Sequence, residues 1–175
     1  SAVMLSAESA VGNDPVNTVA TMSRVAERAD QEFDYEAWAR RIRHLRRSAV
    51  RDSPDDKLTD AMTAAAWRAA TEMGVAAIIC ISDSGLTVRS TARFRPSMPI
   101  IAFSPNERTL RQLSMSWGTI TLRAPNHVDT LALMEDLVVQ ARDAGLVKPG
   151  ETVAVLAGVG SRSRSTDVLH LARVP

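Results

Sequence analysis

Several features are scarce in this sequence, and each scarcity argues against a class of protein. The chain has a single cysteine, Cys80, so no internal disulfide can form, which is typical of a reducing compartment. Aromatic residues make up only 4%, which leaves few side chains for stacking on bases. The 21 basic residues nearly balance the 20 acidic ones, so the basic excess of a general nucleic-acid binder is absent. With no membrane-length apolar run and no signal segment, we expect a soluble cytoplasmic protein that binds neither nucleic acid nor membrane.

What is present is an ordinary globular composition with alternating strand and helix patterns. Hydrophobic residues account for 45% of the chain and charged residues for 23%. Continuous apolar runs predict buried strands at 75–82, 98–104 and 151–158, and a shorter strand at 118–124. Helical patterns occupy 57–74, 84–96, 106–117 and 127–145. This alternation predicts an open α/β fold, mostly parallel, with helices on both faces. The last strand, at 165–174, follows its predecessor by a short loop and is therefore expected to be antiparallel.

The first 56 residues follow a different pattern. The apolar residues 2–5 predict a strand, and Asp14 followed by Pro15 predicts the start of a helix. Together they resemble one leftover strand-helix unit of a β/α repeat. The next stretch is rich in arginine, and we interpret it as a helical linker with a solvated basic face, nucleic-acid binding being the alternative. The predicted division is therefore 1–33 for the strand-helix unit, 34–56 for the linker and 57–175 for the α/β domain.

Two loops at predicted strand ends carry the chemistry. Ligands of open α/β sheets bind beyond the carboxyl ends of the strands. The first loop, residues 82–87, offers Ser82, Ser84, Gly85 and Thr87 at a helix start, a natural place for an anion. The second loop, residues 158–166, contains Ser161, Arg162, Ser163, Arg164, Ser165 and Thr166, with arginines suited to phosphate. We expect the two loops to converge on a phosphorylated small molecule. The sequence shows no P-loop, zinc-ligand spacing or nucleophile elbow, so no metal site and no complete catalytic set is expected.

Motifs along the whole chain resemble pyruvate kinases. The opening stretch "AVMLSAESAVGNDPVNTVATM" is similar to the last strand, loop and helix of that family's (β/α)8 catalytic barrel. It keeps Met4, Leu5, Ser6, Glu8, Ala10, Gly12, Pro15, Val19 and Met22. Ala7 and Ser9 replace the usual Gly and Thr. The later part resembles the C-terminal domain of the family, with matches at Ser84, Gly85, Thr87, Ala92, Arg93, Arg95, Pro96 and Pro99, and at Ser165 and Thr166.

The resemblance implies an activity whose machinery lies mostly outside this sequence. Pyruvate kinases transfer a phosphoryl group from phosphoenolpyruvate to ADP in glycolysis, yielding ATP, with Mg²⁺ and usually K⁺. Only Ser6 and Glu8 map to the active-site side, as supporting catalytic residues or, alternatively, as a loop-stabilising pair. Phosphoryl transfer depends on metal ions and cationic clamps. We therefore expect this chain alone to bind no metal and to lack kinase activity.

The resemblance also gives the two loops a regulatory role. The family's C-terminal domain binds phosphorylated effectors such as sugar phosphates or AMP, and the intact enzymes are usually tetramers. The first loop would hold the phosphate and the second would close over it. The first loop departs from the family pattern at two positions that affect phosphate binding. Asp83 adds a negative charge, and Leu86 removes a hydrogen-bond donor. The alternative hypothesis is a stand-alone α/β module that binds a small phosphorylated ligand.

Overall fold

A computed structural model describes residues 2–46, 53–125, 129–158 and 166–175. The helices are α1 (Ala7–Ala10), α2 (Pro15–Glu32), α3 (Tyr35–Arg46), α4 (Pro54–Met73), α5 (Leu86–Ala92), α6 (Glu107–Leu113) and α7 (Thr130–Asp143). The strands are β1 (Ala77–Ile81), β2 (Ile100–Ser104), β3 (Thr119–Arg123), β4 (Thr152–Ala157) and β5 (Val168–Arg173). The helices and strands predicted for the α/β region are all present, with shorter bounds in several cases.

The five strands form one sheet in the order β3-β2-β1-β4-β5. The pairs β1–β2, β2–β3 and β1–β4 are parallel, and β4–β5 is antiparallel. A parallel connection needs a crossover of about a dozen residues or more, usually a helix. Helices α5 and α6 provide such crossovers, whereas only ten residues, 158–167, separate β4 from β5. The predicted mostly parallel sheet with an antiparallel last strand is confirmed.

Helices cover both faces of the sheet, so the central strands are buried on both sides. Ile79 of β1 belongs to one core cluster, together with Leu137 of α7. Its neighbour Ile78 belongs to the other cluster, together with Ala66 of α4 and Val88 of α5. Successive side chains of a strand point to opposite faces, which explains why the apolar run is continuous rather than alternating.

The predicted strand at residues 2–5 is wrong for this chain. Residues 2–6 have no regular secondary structure, and the short helix α1 follows them. A strand is held by hydrogen bonds to a neighbouring strand, and none of the described residues pairs with this segment. An apolar run by itself therefore does not produce a strand.

The predicted helix after residue 14 is confirmed, and it lies at the surface. The Asp14 carboxylate accepts a hydrogen bond from the Asn17 backbone N–H at 3.0 Å, and Pro15 is the first residue of α2. None of the residues of α2 is buried, and Val16 is 79% exposed. No helix within the described ranges is both long and apolar enough to cross a membrane.

The only cysteine is part of the core, as the sequence suggested. Cys80 is fully buried on the face of the sheet that α4 and α5 cover, and its Sγ lies 3.8 Å from the Thr91 hydroxyl. Burial raises the pKa of the Cys80 thiol from 9.0 to about 12. A protonated, inaccessible thiol is unreactive, so this residue has a packing role.

We predict that a thiol reagent will not label folded Cys80 at about pH 8, whereas the chain unfolded in about 6 M guanidinium chloride will react fully. Because the pKa is raised, the Cys80 thiol keeps its proton to a higher pH in the folded state than in the unfolded state. The stability that this proton contributes is complete below pH 9 and declines as the pH rises toward about 12. Absorbance of the coloured leaving group that a chromogenic thiol reagent releases measures the reaction. Rapid labelling without denaturant would contradict the prediction.

Candidate functional site

The sheet brings the two predicted loops to the same edge. Strands β1 and β4 are adjacent and parallel, with Cys80 opposite Leu156. The first loop follows β1 and the second follows β4, so both leave the sheet from neighbouring carboxyl ends. Of the second loop, Gly158 and Thr166 are described. The predicted binding residues Ser161, Arg162, Ser163, Arg164 and Ser165 lie outside the described residues.

A direct contact joins the loops through two buried threonines. The hydroxyl oxygens of Thr87 and Thr166 are 2.5 Å apart, although 79 residues separate them in the chain. Both side chains are about 95% removed from solvent, since Thr87 is 5% exposed and Thr166 is 4% exposed. Buried hydroxyls need hydrogen-bond partners, and here each of the two hydroxyls is the partner of the other. The two loops thus meet at one pair of residues, and their convergence on a phosphorylated ligand stays a prediction.

Helix α4 adds a third member to this cluster. The Thr166 backbone N–H donates to the hydroxyl of Thr59 at 3.4 Å, and Thr59 is almost fully buried. Sequence reasoning missed Thr59, because the two partners are 107 positions apart in the chain and an alanine-rich helix gives no sign of such a role. The cluster of Thr59, Thr87 and Thr166 therefore fixes the end of the second loop against α4 and α5.

Within the first loop, serine hydroxyls accept hydrogen bonds from the backbone. The Gly85 N–H donates to Ser82 Oγ at 3.0 Å, and the Leu86 N–H donates to Ser84 Oγ at 3.4 Å. A hydroxyl that accepts still has its own hydrogen to donate. Ser82 and Ser84 can therefore present O–H donors to an oxygen-rich ligand from a loop that is already ordered.

Gly85 is required by both backbone conformation and space. Its φ is 75°, in the left-handed region that side-chain-bearing residues rarely adopt. A Cβ atom built at this position would lie 2.9 Å from the Leu113 Cδ2 atom and 2.9 Å from the Arg89 Nη1 atom. The turn that leads into α5 thus explains why glycine stands here, and the role of Gly85 in a binding site stays a prediction.

The charges around the first loop are mixed. Asp83 is exposed, and its backbone carbonyl accepts a hydrogen bond from the Thr109 hydroxyl at 2.8 Å, which fixes this part of the loop. Its carboxylate disfavours an anion nearby. Arg89 supplies an opposing charge, because its guanidinium donates to the Ser84 carbonyl at 3.0 Å. Sequence reasoning missed Arg89, although its spacing of four residues after Gly85 in a predicted helix placed it beside the loop.

The candidate catalytic pair, Ser6 and Glu8, lies in the α1–α2 segment. The Ser6 carbonyl accepts from the Ser9 hydroxyl at 3.1 Å, and the Glu8 carbonyl accepts from the Thr18 hydroxyl at 3.4 Å. Among the described residues no contact joins this pair to the two loops. Both side chains are exposed, and these contacts are those of a local turn between two helices.

The described parts of the chain do not fit a metal ion. They contain no group of three or more His, Cys, Asp and Glu side chains placed to hold one. Divalent cations such as Mg²⁺ need several oxygen ligands converging on one point. No chemical step involving Mg²⁺ or K⁺ is therefore assigned to these residues.

Comparison with known proteins identifies the family. The family model described as the pyruvate kinase alpha/beta domain matches residues 60–172. The chain belongs to the pyruvate kinase family. The matched residues include β1 to β4, all but the last residue of β5 and both candidate loops, so the match covers the domain that carries the predicted phosphate site.

Individual relatives agree, and each is much longer than this chain. A pyruvate kinase of Clostridium acetobutylicum is 34% identical over 97% of this chain but only 34% of its own length. One from Geobacillus stearothermophilus is 38% identical over 90% of this chain and 26% of its own length. A crystal structure of a pyruvate kinase from Cryptosporidium parvum superposes with a TM-score of 0.78 at 26% identity, covering 99% of this chain and 33% of that one. The chain thus spans between a quarter and about a third of the length of these relatives and corresponds to the C-terminal part of pyruvate kinases.

We predict that Gly85→Ala destabilises the fold more than Gly145→Ala does. The two glycines have nearly the same φ, 75° and 73°, so both variants incur the left-handed strain of about 1 kcal/mol. Only a Cβ at Gly85 meets another residue, because nothing lies within 4 Å of the same atom at Gly145. Overpacking adds roughly 1–3 kcal/mol at Gly85.

Urea unfolding followed by circular dichroism measures the difference between these two glycine variants. The matched variant Gly145→Ala isolates the steric part, because the backbone strain is common to both. Equal losses in the two variants would show that the contact with Leu113 and Arg89 relaxes at no cost, contrary to the prediction.

Proposed function

We propose that this chain is the regulatory and oligomerisation portion of a pyruvate kinase and that the two loops bind a phosphorylated effector. The intact enzyme transfers the phosphoryl group of phosphoenolpyruvate to ADP, using Mg²⁺ and K⁺ held outside the described residues. The observation that carries the proposal is the buried contact between Thr87 and Thr166, which joins the loops at one edge of the sheet. Sugar phosphates and AMP are the ligand classes that the proposal favours.

The chemistry of the first loop supports phosphate as the recognised group. Phosphate oxygens accept hydrogen bonds, and the Ser82 and Ser84 hydroxyls keep a hydrogen to donate while accepting from the loop backbone. The Arg89 guanidinium beside the Ser84 carbonyl contributes positive charge. The second loop would supply the remaining contacts through Ser161, Arg162, Ser163, Arg164 and Ser165.

The balance between Asp83 and Arg89 sets the expected strength of binding. A carboxylate close to a phosphate costs Coulomb energy, and solvent screens the effect at an exposed position. Arg89 offsets part of that cost, because it lies in the same loop region. The proposal therefore assigns this protein a weaker phosphate site than a loop without Asp83 would provide.

The catalytic contribution of this chain is proposed to be minor. Ser6 and Glu8 would support the active site of the intact enzyme from the α1–α2 segment, where both are exposed and so accessible to another part of the protein. Association into a homo-oligomer, a tetramer in the intact enzyme, is proposed on the same family basis. The exposed edge strand β5, with Leu171 42% exposed, is compatible with such an interface. A cytoplasmic location follows from the proposed glycolytic role.

We predict that Asp83→Asn strengthens the binding of a sugar phosphate, while Ser84→Ala weakens it. Removing the carboxylate charge should favour the phosphate by about 1 kcal/mol, or roughly fivefold in Kd. Losing one hydroxyl donor to a charged group should cost about 1.5 kcal/mol or more. Isothermal titration calorimetry of the chain with glucose 6-phosphate and with AMP measures both changes.

A matched control for the serine is Ser114→Ala at the end of α6. That hydroxyl is also exposed and donates to a backbone carbonyl, that of Arg111, at 2.7 Å, so its loss should leave the affinity unchanged. The proposed effector site would be refuted if the wild-type chain bound neither ligand. It would also be refuted if Ser84→Ala and Ser114→Ala changed the affinity equally.

We also predict that the 175-residue chain alone shows no turnover in an assay that couples pyruvate formation to NADH oxidation. Phosphoryl transfer needs metal ions and cationic groups around the transferred phosphate, and the described residues contain no group of three or more His, Cys, Asp and Glu side chains placed to hold the metal. The control is a complete pyruvate kinase in the same assay with Mg²⁺ and K⁺. Activity of the purified chain that survives further purification would overturn this expectation.

A further inference from the structure

Four aromatic rings and one arginine connect the N-terminal helices to the α/β domain. The Arg95 guanidinium lies 5.1 Å from the ring centres of Phe33 and Trp38 and 4.8 Å from that of Trp117. Phe33 and Trp38 belong to the α2–α3 region, whereas Trp117 lies between α6 and β3. Tyr35 extends the cluster, with its ring centre 5.4 Å from Trp117. A cation within about 6 Å of three ring centres is a strong arrangement for cation–π attraction. We call this cluster the Arg95 cage.

The backbone of Arg95 is in a strained conformation. Its φ is 47°, and it is the one non-glycine residue with positive φ within the described ranges. The Arg95 N–H donates to the Ala92 carbonyl at 3.1 Å, so this conformation is a continuation of the end of α5. Strain of this kind persists only where the surroundings compensate for it. The three ring contacts are the compensation that the structure offers.

A second contact attaches the same end of α5 to α3. The Trp38 indole N–H donates to the carbonyl of Arg93, the residue that ends α5, at 3.0 Å. The Arg93 side chain in turn donates to the Ser90 hydroxyl at 2.7 Å, within α5 itself. Helix α3 is therefore joined to the carboxyl end of α5 by a hydrogen bond as well as by the cage.

The opposite end of α5 is the first loop. The helix spans seven residues, or about 10 Å, and Arg89 on its surface donates back to the Ser84 carbonyl. Val88 and Thr91 within the helix are fully buried, so two turns of rigid backbone lie in a close-packed core. A short helix in such surroundings moves as a unit, because its interior cannot deform locally without opening cavities.

We propose that α5 is a coupling element whose two ends are the first loop and the Arg95 cage. Docking of α2–α3 through the cage stabilises the conformation of residues 82–87, and ordering of that loop strengthens the docking of α2–α3 to the same extent, as linkage requires. The regulatory meaning of this coupling rests on the proposed effector site. The coupling itself does not, so it is tested without ligand.

The test is hydrogen exchange on the full 175-residue chain with Arg95→Ala. We expect exchange of the α2–α3 amides and of the Gly85 and Leu86 amides to accelerate by about tenfold or more, while amides of β1 and β4 keep their protection. Guanidinium chloride at about 10 mM refills the cage and restores both regions, whereas the same concentration of sodium chloride does not. Faster exchange in α2–α3 with an unchanged loop would overturn the coupling.

Two further variants keep the proposal falsifiable if Arg95→Ala unfolds. Gly85→Ala perturbs the loop end and is expected to accelerate exchange in α3, and unchanged α3 amides would contradict the proposal. Arg95→Lys keeps the charge without the planar guanidinium and is expected to give an intermediate effect. The matched control is Arg68→Ala, which removes an exposed guanidinium paired with Glu72 and should alter neither region.

Ligand binding is measured separately, so the two proposals fail differently. If a sugar phosphate binds but the ligand-free variants show no coupling, the effector site stands and the coupling is wrong. If no phosphorylated ligand binds but Arg95→Ala still accelerates exchange at Gly85 and Leu86, the coupling stands as a property of the fold and the effector site is wrong.

Discussion

The parallel pairing of β1 with β4 is the constraint on which the candidate site depends. These strands are distant in sequence, and their side-by-side register places Cys80 opposite Leu156 in the middle of the sheet. Because both strands run in the same direction, the loops that follow them leave from the same edge. A different strand order would separate those loops, and their side chains could then not contact the same ligand.

Buried hydroxyls then fix the relative positions of the segments that meet at this edge of the sheet. Thr59, Thr87 and Thr166 come from α4, α5 and the end of the second loop, and each finds a partner within the cluster. A buried hydroxyl without a partner costs about 1–3 kcal/mol, so the cluster favours one relative position of the three segments. In the first loop, by contrast, Ser84 is exposed and Ser82 is half-buried, which leaves their hydroxyls more accessible to a ligand than the threonine cluster is.

Helix α5 gives the site a connection to the rest of the chain. It follows Gly85, in the candidate phosphate loop, and ends three residues before Arg95, which lies among the aromatic rings. The scarcity of aromatic residues noted in the sequence makes their grouping informative, since Phe33, Trp38 and Trp117 all surround one guanidinium. Several of the few aromatic side chains thus lie where the N-terminal helices contact the α/β domain.

The sequence by itself determined the α/β class, the antiparallel last strand, the helix start at Asp14 and the family. These follow from local signals: apolar runs, capping residues, loop lengths and a motif. Tertiary structure decided what depends on distant partners, namely the Thr87–Thr166 contact, the place of Arg89 beside Ser84 and the Arg95 cage. It also decided against a strand at residues 2–5, because strand formation requires a neighbour that residue pattern cannot supply.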